Sequence, residues 1–162
     1  MEARPDRGGF TLIELLIVVT LIAVIAAIAI PNMVESRKRG NETAAIASLR
    51  EIVSSETLFR EGDKEKDGNL DYGMLSELGA VGILEPVLAG GTKHGYLFEA
   101  SYSFTSPTLI WFGVTRPFLP GNTGDRYFAT SQAGVIYYTT AIEVALDTSS
   151  CSMPGNVIPI GK

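Results

Sequence analysis

The feature that most constrains this chain is a long apolar segment near the N-terminus, from Phe10 to Ile30, whose only ionisable side chain is Glu14. At about 1.5 Å of rise per residue, a helix of this length spans roughly 31 Å, about the thickness of a bilayer core. A carboxylate in such a segment costs on the order of 2.5 to 3.5 kcal/mol at the helix centre and less near an end. The sequence therefore predicts a membrane helix whose acid needs a partner.

Length and charge limit what the remainder can be. The 162 residues leave room for the membrane segment and one domain of ordinary size. The net charge of -5 gives no electrostatic reason to expect nucleic acid binding. Cys151 is the single cysteine, so no internal disulfide can form. It is either a reduced structural residue or a handle for an intermolecular bond.

Residues 1–9 are charged and end in Gly8-Gly9, directly before the apolar segment. A secretory signal has an apolar region of about 7 to 15 residues followed by a cleavage site of small residues. Here the apolar run is longer and leads into Pro31-Asn32 and a charged helix, which does not fit that pattern. The glycines instead offer extended backbone to a protease on the cytoplasmic face. Cleavage after Gly9 would make Phe10 the N-terminus and keep the membrane helix.

The run G-F-T-L-I-E-L-L-I-V-V-x-L-I-A-V-I-A-A-I-A-I-P-N, which begins at Gly9, resembles the N-terminus of type IV pilins and pseudopilins. The resemblance implies that a prepilin peptidase cleaves after Gly9 and methylates the amine of Phe10. It aligns the family's carboxylate with Glu14 and its helix-breaking proline with Pro31. The leader would then face the cytoplasm. The resemblance does not extend to the globular part.

A partner for Glu14 follows from the chemistry of such a helix. In a filament of parallel helices, the amine of Phe10 on a neighbouring subunit is the cation available at that depth. The pair would place each subunit one step from the last, and a heterologous contact that does not close produces a helical filament. We therefore assign assembly to Glu14 and Phe10.

Pro31 should kink or end the first helical half, because it cannot donate a helical hydrogen bond. A helical pattern resumes from Asn32 to Arg60, and its apolar face carries Ala45, Ile46, Leu49, Ile52, Val53 and Phe59. The predicted opposite face carries Glu42, Arg50, Glu51 and Arg60. The basic cluster 37–39 either contacts lipid headgroups or an acidic neighbour, or forms a solvated helix turn.

The remainder is predicted to be mainly sheet. After a charged loop from Glu61 to Asn69 come two short helical turns, in 74–78 and 83–88. Period-two alternation indicates a strand whose buried face runs from Tyr96 to Phe104. Further strands are predicted at Leu109–Thr115, Arg126–Thr130 and Val135–Thr139, the last two joined by a tight turn at 132–134. Residues 141–146 extend the sheet or form one turn, and the tail through Pro154, Gly155 and Pro159 is expected to be irregular.

These elements define an α+β, pilin-like fold, in which a long N-terminal helix packs its amphipathic half on a roughly four-stranded antiparallel sheet. The predicted segments are a cleaved leader at 1–9, a transmembrane or filament-core helix at 10–31, the amphipathic half at 32–60 and a globular head at 61–162.

The loop after the helix resembles a calcium-binding loop in its spacing of oxygen ligands. The candidate ligands are Asp63, Glu65, Asp67, Asn69 and Asp71. Met74 stands where a bidentate Glu is required, so the loop is either a weak calcium site or a solvated charged loop. No other cofactor is expected. His94 is the single histidine and is predicted at the surface, so neither a nucleophilic triad nor a multi-histidine site can form and no enzyme is predicted.

The predicted function is that of a structural subunit in a type IV pilus-like filament, with the chain itself as its main partner. Prepilin peptidase, an inner-membrane assembly platform and other pilins are the further partners that the resemblance implies. The subunit would be stored in a bacterial inner membrane and then enter a periplasm-spanning or cell-surface filament. Alternatives are a type II secretion pseudopilin, a minor pilin in adhesion or DNA uptake, and a membrane-anchored module that binds calcium or another ligand.

Overall fold

The computed structural model describes residues 9–66, 68–140, 155 and 157–160, in two compact units, Met1–Ser36 and Arg37–Lys162. The helix α1, Leu12–Glu61, begins in the first unit and ends in the second. Among the described residues it is the one helix long and apolar enough to cross a membrane, with a mean hydropathy of 3.0 in its most apolar window. Every large apolar side chain of its first segment is exposed, including Leu16, Leu21 and Ile28.

Pro31 lies inside α1, so the prediction that it might end the helix is wrong. A proline inside a helix cannot donate to the carbonyl four residues earlier and crowds that carbonyl, yet the residues on both sides of Pro31 remain helical. The Asn32 amide nitrogen also donates to the Ile28 carbonyl at 3.1 Å. The alternative prediction, a kink of the helix at Pro31, stays a prediction.

The head contains a six-stranded sheet in the sequential order β1 to β6, with every neighbouring pair antiparallel. Its strands are β1 Thr92–Lys93, β2 Tyr96–Tyr102, β3 Trp111–Pro117, β4 Tyr127–Ser131, β5 Tyr137–Thr139 and β6 Ile158–Pro159. The four predicted strands are confirmed as β2 to β5, and the two additional edge strands have two residues each. They were missed because so short a strand carries no periodic signal.

The amphipathic half of α1 packs on this sheet as predicted. Ala45, Leu49, Ile52 and Phe59 are buried together with aromatic side chains of the strands, and Ile46 and Val53 pack at the margin of the same cluster. The strand residues of the cluster are Tyr96, Phe98, Trp111 and Phe128. One core therefore joins the helix to the sheet, and it contains the single tryptophan.

Two short helices, α2 Leu75–Ala80 and α3 Pro86–Ala89, connect α1 to the sheet at the predicted places. They bury Leu78 and Leu88 in the same core. The predicted turn between β4 and β5 is also present, because the Gly134 N–H donates to the Ser131 carbonyl at 2.8 Å. Gly134 has φ +71°, a conformation that favours glycine.

Three predictions for the head need correction, and three others lie outside the described residues. Glu42 is buried rather than exposed. Phe104 is exposed, because β2 ends at Tyr102 and a turn follows in which the Ser106 N–H donates to the Ser103 carbonyl. Pro159 belongs to β6 and not to an irregular tail. The predictions for 141–146, Cys151 and Pro154 fall outside the described residues.

Candidate processing and assembly site

The predicted cleavage point lies before the first turn of α1, which begins at Leu12. Gly9 is exposed, and a Cβ placed on it would meet nothing within 4 Å. The Phe10 side chain is 87% exposed. Among the described residues, the bond between Gly9 and Phe10 therefore lies in exposed, non-helical backbone, and cleavage there stays a prediction.

Thr11 and Glu14 cap the N-terminus of α1 by hydrogen bonds to each other. The Thr11 backbone N–H and hydroxyl both donate to Glu14 Oε2, at 2.9 and 2.6 Å. In return the Glu14 N–H donates to the Thr11 hydroxyl oxygen at 3.3 Å. This reciprocal arrangement is a capping box, which satisfies donors that the first turn of a helix leaves unpaired.

The capping box gives Glu14 a local partner that the sequence analysis missed. The signal was present, since a Thr followed three positions later by a Glu before an apolar run is the pattern of a capping box. Among the described residues, the Thr11 hydrogen bonds end on Glu14 Oε2. Pairing of Glu14 with a cation of a second subunit stays a prediction.

A different acid, Glu56, was not singled out from the sequence. It is 0% exposed, and its Oε2 accepts a hydrogen bond from the Gly73 N–H at 3.1 Å. Its Oε1 has no hydrogen-bond partner among the described residues. Burial raises the pKa of Glu56 to about 8, against the lowering effect of the Gly73 hydrogen bond and with a further rise from the Glu77 charge. Glu56 therefore holds a proton at neutral pH.

The candidate calcium loop follows α1 as expected. The Gly68 N–H donates to Asp63 Oδ2 at 3.2 Å, and Asp63, Lys66 and Gly68 have positive φ. Within the described ranges no three or more Asp, Glu, His or Cys side chains come together as metal ligands. Asp67, a central candidate ligand, lies outside those ranges. Calcium binding by Asp63, Glu65, Asp67, Asn69 and Asp71 therefore stays a prediction.

A long N-terminal helix that is apolar and exposed in its first segment, followed by a head in which its second segment packs on an antiparallel sheet, is the α+β arrangement of the pilin class. A family model described as the prokaryotic N-terminal methylation motif matches residues 4–30. The type IV wide pilus major component PilA4 of Thermus thermophilus is 48% identical over 113 residues, which cover 68% of this chain and 82% of that protein. The chain belongs to the type IV pilin family.

Two further relatives are more distant. The type IV major pilin protein PilA of Myxococcus xanthus is 38% identical over 77 residues, or 47% of this chain and 35% of that protein. The type II secretion system core protein G of Escherichia coli is 25% identical over 97 residues, or 60% of this chain and 66% of that protein. No solved structure matches the chain. The relatives are structural proteins, in agreement with the predicted class.

Proposed function

We propose that this protein is a main structural subunit of a type IV pilus, held in the membrane by residues 10–30 and assembled through that same segment. The observation that carries the proposal is the exposure of every large apolar side chain in the first segment of α1. Apolar surface of this extent on a soluble molecule is unstable in water, so it needs lipid or other copies of itself around it. A subunit that moves from a bilayer to a filament core has both.

The comparison with relatives favours a pilus over a secretion filament. Identity is 48% to the wide pilus component and 25% to the secretion protein, and the first match also covers the larger share of its relative. Prepilin peptidase, the inner-membrane assembly platform and other pilins are the proposed partners. The proposed sites are the inner membrane for storage and the cell surface for the fibre.

Within the filament we assign the register between subunits to Glu14 and the amine of processed Phe10. The capping box holds the Glu14 carboxylate at the first turn of α1, close in sequence to the Phe10 amine of its own chain. An incoming subunit would bring its Phe10 amine to this carboxylate. A charge pair in an apolar filament core is strong only when both partners are present.

The test replaces Glu14 in the full chain. Glu14→Ala should leave cleavage after Gly9 intact, as read by mass spectrometry of the N-terminus, and should abolish sheared surface fibres seen by electron microscopy. Thr20→Ala is the matched control, because Thr20 is also polar and exposed on α1 but bonds only its own helix, at the Leu16 carbonyl. Normal fibres from Glu14→Ala would overturn the assignment.

Fractionation of the wild-type chain tests the wider proposal. If the chain is a main pilus subunit, it should dominate the sheared fibre fraction. Recovery in the membrane fraction alone would instead favour a minor or secretion role.

A further inference from the structure

One edge of the sheet is paired along only part of its length. The strand β1 pairs with Tyr96 and Leu97 of β2, and the Phe98 N–H donates to the Gly91 carbonyl at 2.8 Å, which adds one bond on that side. Past Phe98, no described strand pairs with β2 on this side, although β2 continues to Tyr102. We call residues 98–102 on this side the open edge of β2.

The backbone hydrogen-bonding groups of Ala100 point to the open edge. Ser103, which follows β2, donates its N–H to the carbonyl of Ile110, just before β3, at 2.9 Å. Successive residues of a strand direct these groups to opposite sides, so the odd-numbered residues of β2 face β3 and the even-numbered ones face away from it. Ala100 therefore faces the same side as Phe98, with no strand of the described residues to receive its bonds.

A shallow groove of about 410 Å³ lies along the open edge. It is lined by residues 74–76 at the start of α2, by 89–91 at the end of α3 and by 98–101 of β2. All of them belong to the unit Arg37–Lys162. At about 3.3 Å of rise per residue, residues 98–102 span roughly 13 Å, the length of a strand of about five residues. The groove therefore leaves space beside β2 for a short extended chain.

The outer strands of the sheet are protected from such pairing. Pro159 on β6 has no N–H to offer, and Lys93 on β1 forms ion pairs with Glu85 and Glu51. Proline and charged side chains are common means of preventing contacts between sheet edges. Ala100 provides neither.

Negative charge surrounds the open edge. Burial raises the pKa of the Tyr102 hydroxyl, and the charges of three acids raise it further, those of Glu77, Glu65 and Asp71. A fourth acid, Glu99, lines the groove and lies 3.7 Å from Arg116. A basic segment suits such an edge, whereas two copies that paired through it would bring like charges together.

We propose that the open edge of β2 binds a short, extended and basic peptide segment of a partner protein, which adds to the sheet as a further strand. The Ala100 N–H and carbonyl would bond its backbone, and the surrounding acids would attract its side chains. The proposal goes beyond the filament function and uses residues of the head alone.

The probe is a fluorescein-labelled peptide of about five residues in which lysine and valine alternate. It is titrated into the full chain in an uncharged detergent, and binding is followed by fluorescence anisotropy. We expect saturable binding, which should be at least about tenfold weaker when glutamate replaces lysine. A lysine peptide with methylated backbone nitrogens should not bind, because it cannot donate to the edge. Absence of saturable binding would overturn the proposal, and so would equal binding of the methylated or the glutamate peptide.

Two variants locate the binding site. Ala100→Pro removes an N–H that faces the open edge and none that faces β3, so it should weaken binding about tenfold. Ser76→Lys leaves β2 unchanged and places a positive charge at the exposed margin of the groove, so it should also weaken binding. The matched control is Ser54→Lys, because Ser54 is exposed on α1 and bonds the Arg50 carbonyl of its own helix. Trp111 fluorescence verifies that each variant is folded. Equal binding by Ser76→Lys and Ser54→Lys would contradict the assigned site.

Sedimentation of the full chain without peptide tests the alternative occupant, a second copy. A monomer that binds the lysine peptide supports the proposal. A dimer that forms in the wild type and is lost in Ala100→Pro would overturn it and assign the open edge to self-association. Fibre formation is measured separately, so loss of peptide binding in variants that still form fibres distinguishes this site from the proposed filament function.

Discussion

The two segments of α1 bury their apolar side chains against different partners. In Leu12–Ser36 the large apolar residues are exposed all around the helix, whereas in Arg37–Glu61 all of them except Leu58 lie on one stripe that packs in the head. A helix that is apolar on every side is suited to lipid or to a bundle of copies, and a striped helix is suited to one sheet. The difference indicates that the second segment is buried by its own chain, whereas the first needs lipid or other copies around it.

Glu14 in the first segment and Glu56 in the second are acids among apolar residues, and they are satisfied differently. Glu14 is bound by the hydroxyl and N–H of Thr11 at the start of the helix. Glu56 receives a single hydrogen bond, from Gly73, and its other oxygen is buried without a partner among the described residues. Pairing of Glu14 with a cation from another subunit stays a prediction. Burial favours the protonated form of Glu56 in the core.

The largest expected effect comes from the proton on Glu56. Its pKa is near 4.5 in the unfolded chain and about 8 in the head, so the folded state holds the extra proton between those pH values. The free energy of unfolding should therefore fall as pH rises through this window, by on the order of 5 kcal/mol in all, and level off above it. Denaturation followed by the fluorescence of Trp111, which is buried in the same core, measures this fall.

Replacement of Glu56 tests the cause of that pH dependence. Glu56→Gln keeps an acceptor for the Gly73 N–H but has no proton to lose, so its stability should be flat between pH 5 and 8 and exceed that of the wild type at pH 8. Glu61→Gln, at an exposed position on the same helix, should keep the wild-type slope. A wild-type profile that is already flat would show that Glu56 is ionised in the folded head.

Truncation of one leucine in each segment tests whether only the second segment of α1 contributes to the stability of the head. Leu49→Ala removes a fully buried side chain from the head core and should lower the free energy of unfolding by about 3 kcal/mol. Leu16→Ala, at an exposed position of the first segment, should leave head unfolding unchanged. Both variants are measured as full chains in detergent micelles by Trp111 fluorescence. A similar loss in both would mean that the head depends on the first segment for its stability.

Much of this arrangement was predictable from local patterns. Glu14 is recognisable because an acid in a long apolar run is rare, and Gly9 and Phe10 because they stand at the start of that run. The strands β2 to β5 follow from alternation and turn residues. The core stripe of α1 follows from spacings of three and four. The two-residue strands β1 and β6 were not predictable, because their pairing depends on where the neighbouring strands end.

The buried acids show where local reasoning failed, although their spacing carried a signal. Glu42 precedes Ala45 by three positions, and Glu56 precedes Phe59 by three, so both lie on the stripe of buried residues. Residue type favoured exposure, since Glu is seldom buried without a partner. The partners, the N–H groups of Asp125 and Gly73, come from connections distant in sequence, and only the fold brings them to the helix.

The smallest expected effect comes from replacing Glu42. It tests whether a buried acid of α1 contributes more to the stability of the head than an exposed one does. Glu42 accepts a hydrogen bond from the Asp125 N–H at 3.0 Å and lies 3.5 Å from Arg126 Nε. Glu42→Ala leaves the N–H without this acceptor and should lower the free energy of unfolding by about 1 to 2 kcal/mol. Glu61→Ala, at an exposed position, should change it by less than about 0.5 kcal/mol. If the two variants lose the same free energy of unfolding, water replaces Glu42 as the acceptor for the Asp125 N–H. The Glu42 carboxylate would then contribute nothing to the stability of the head.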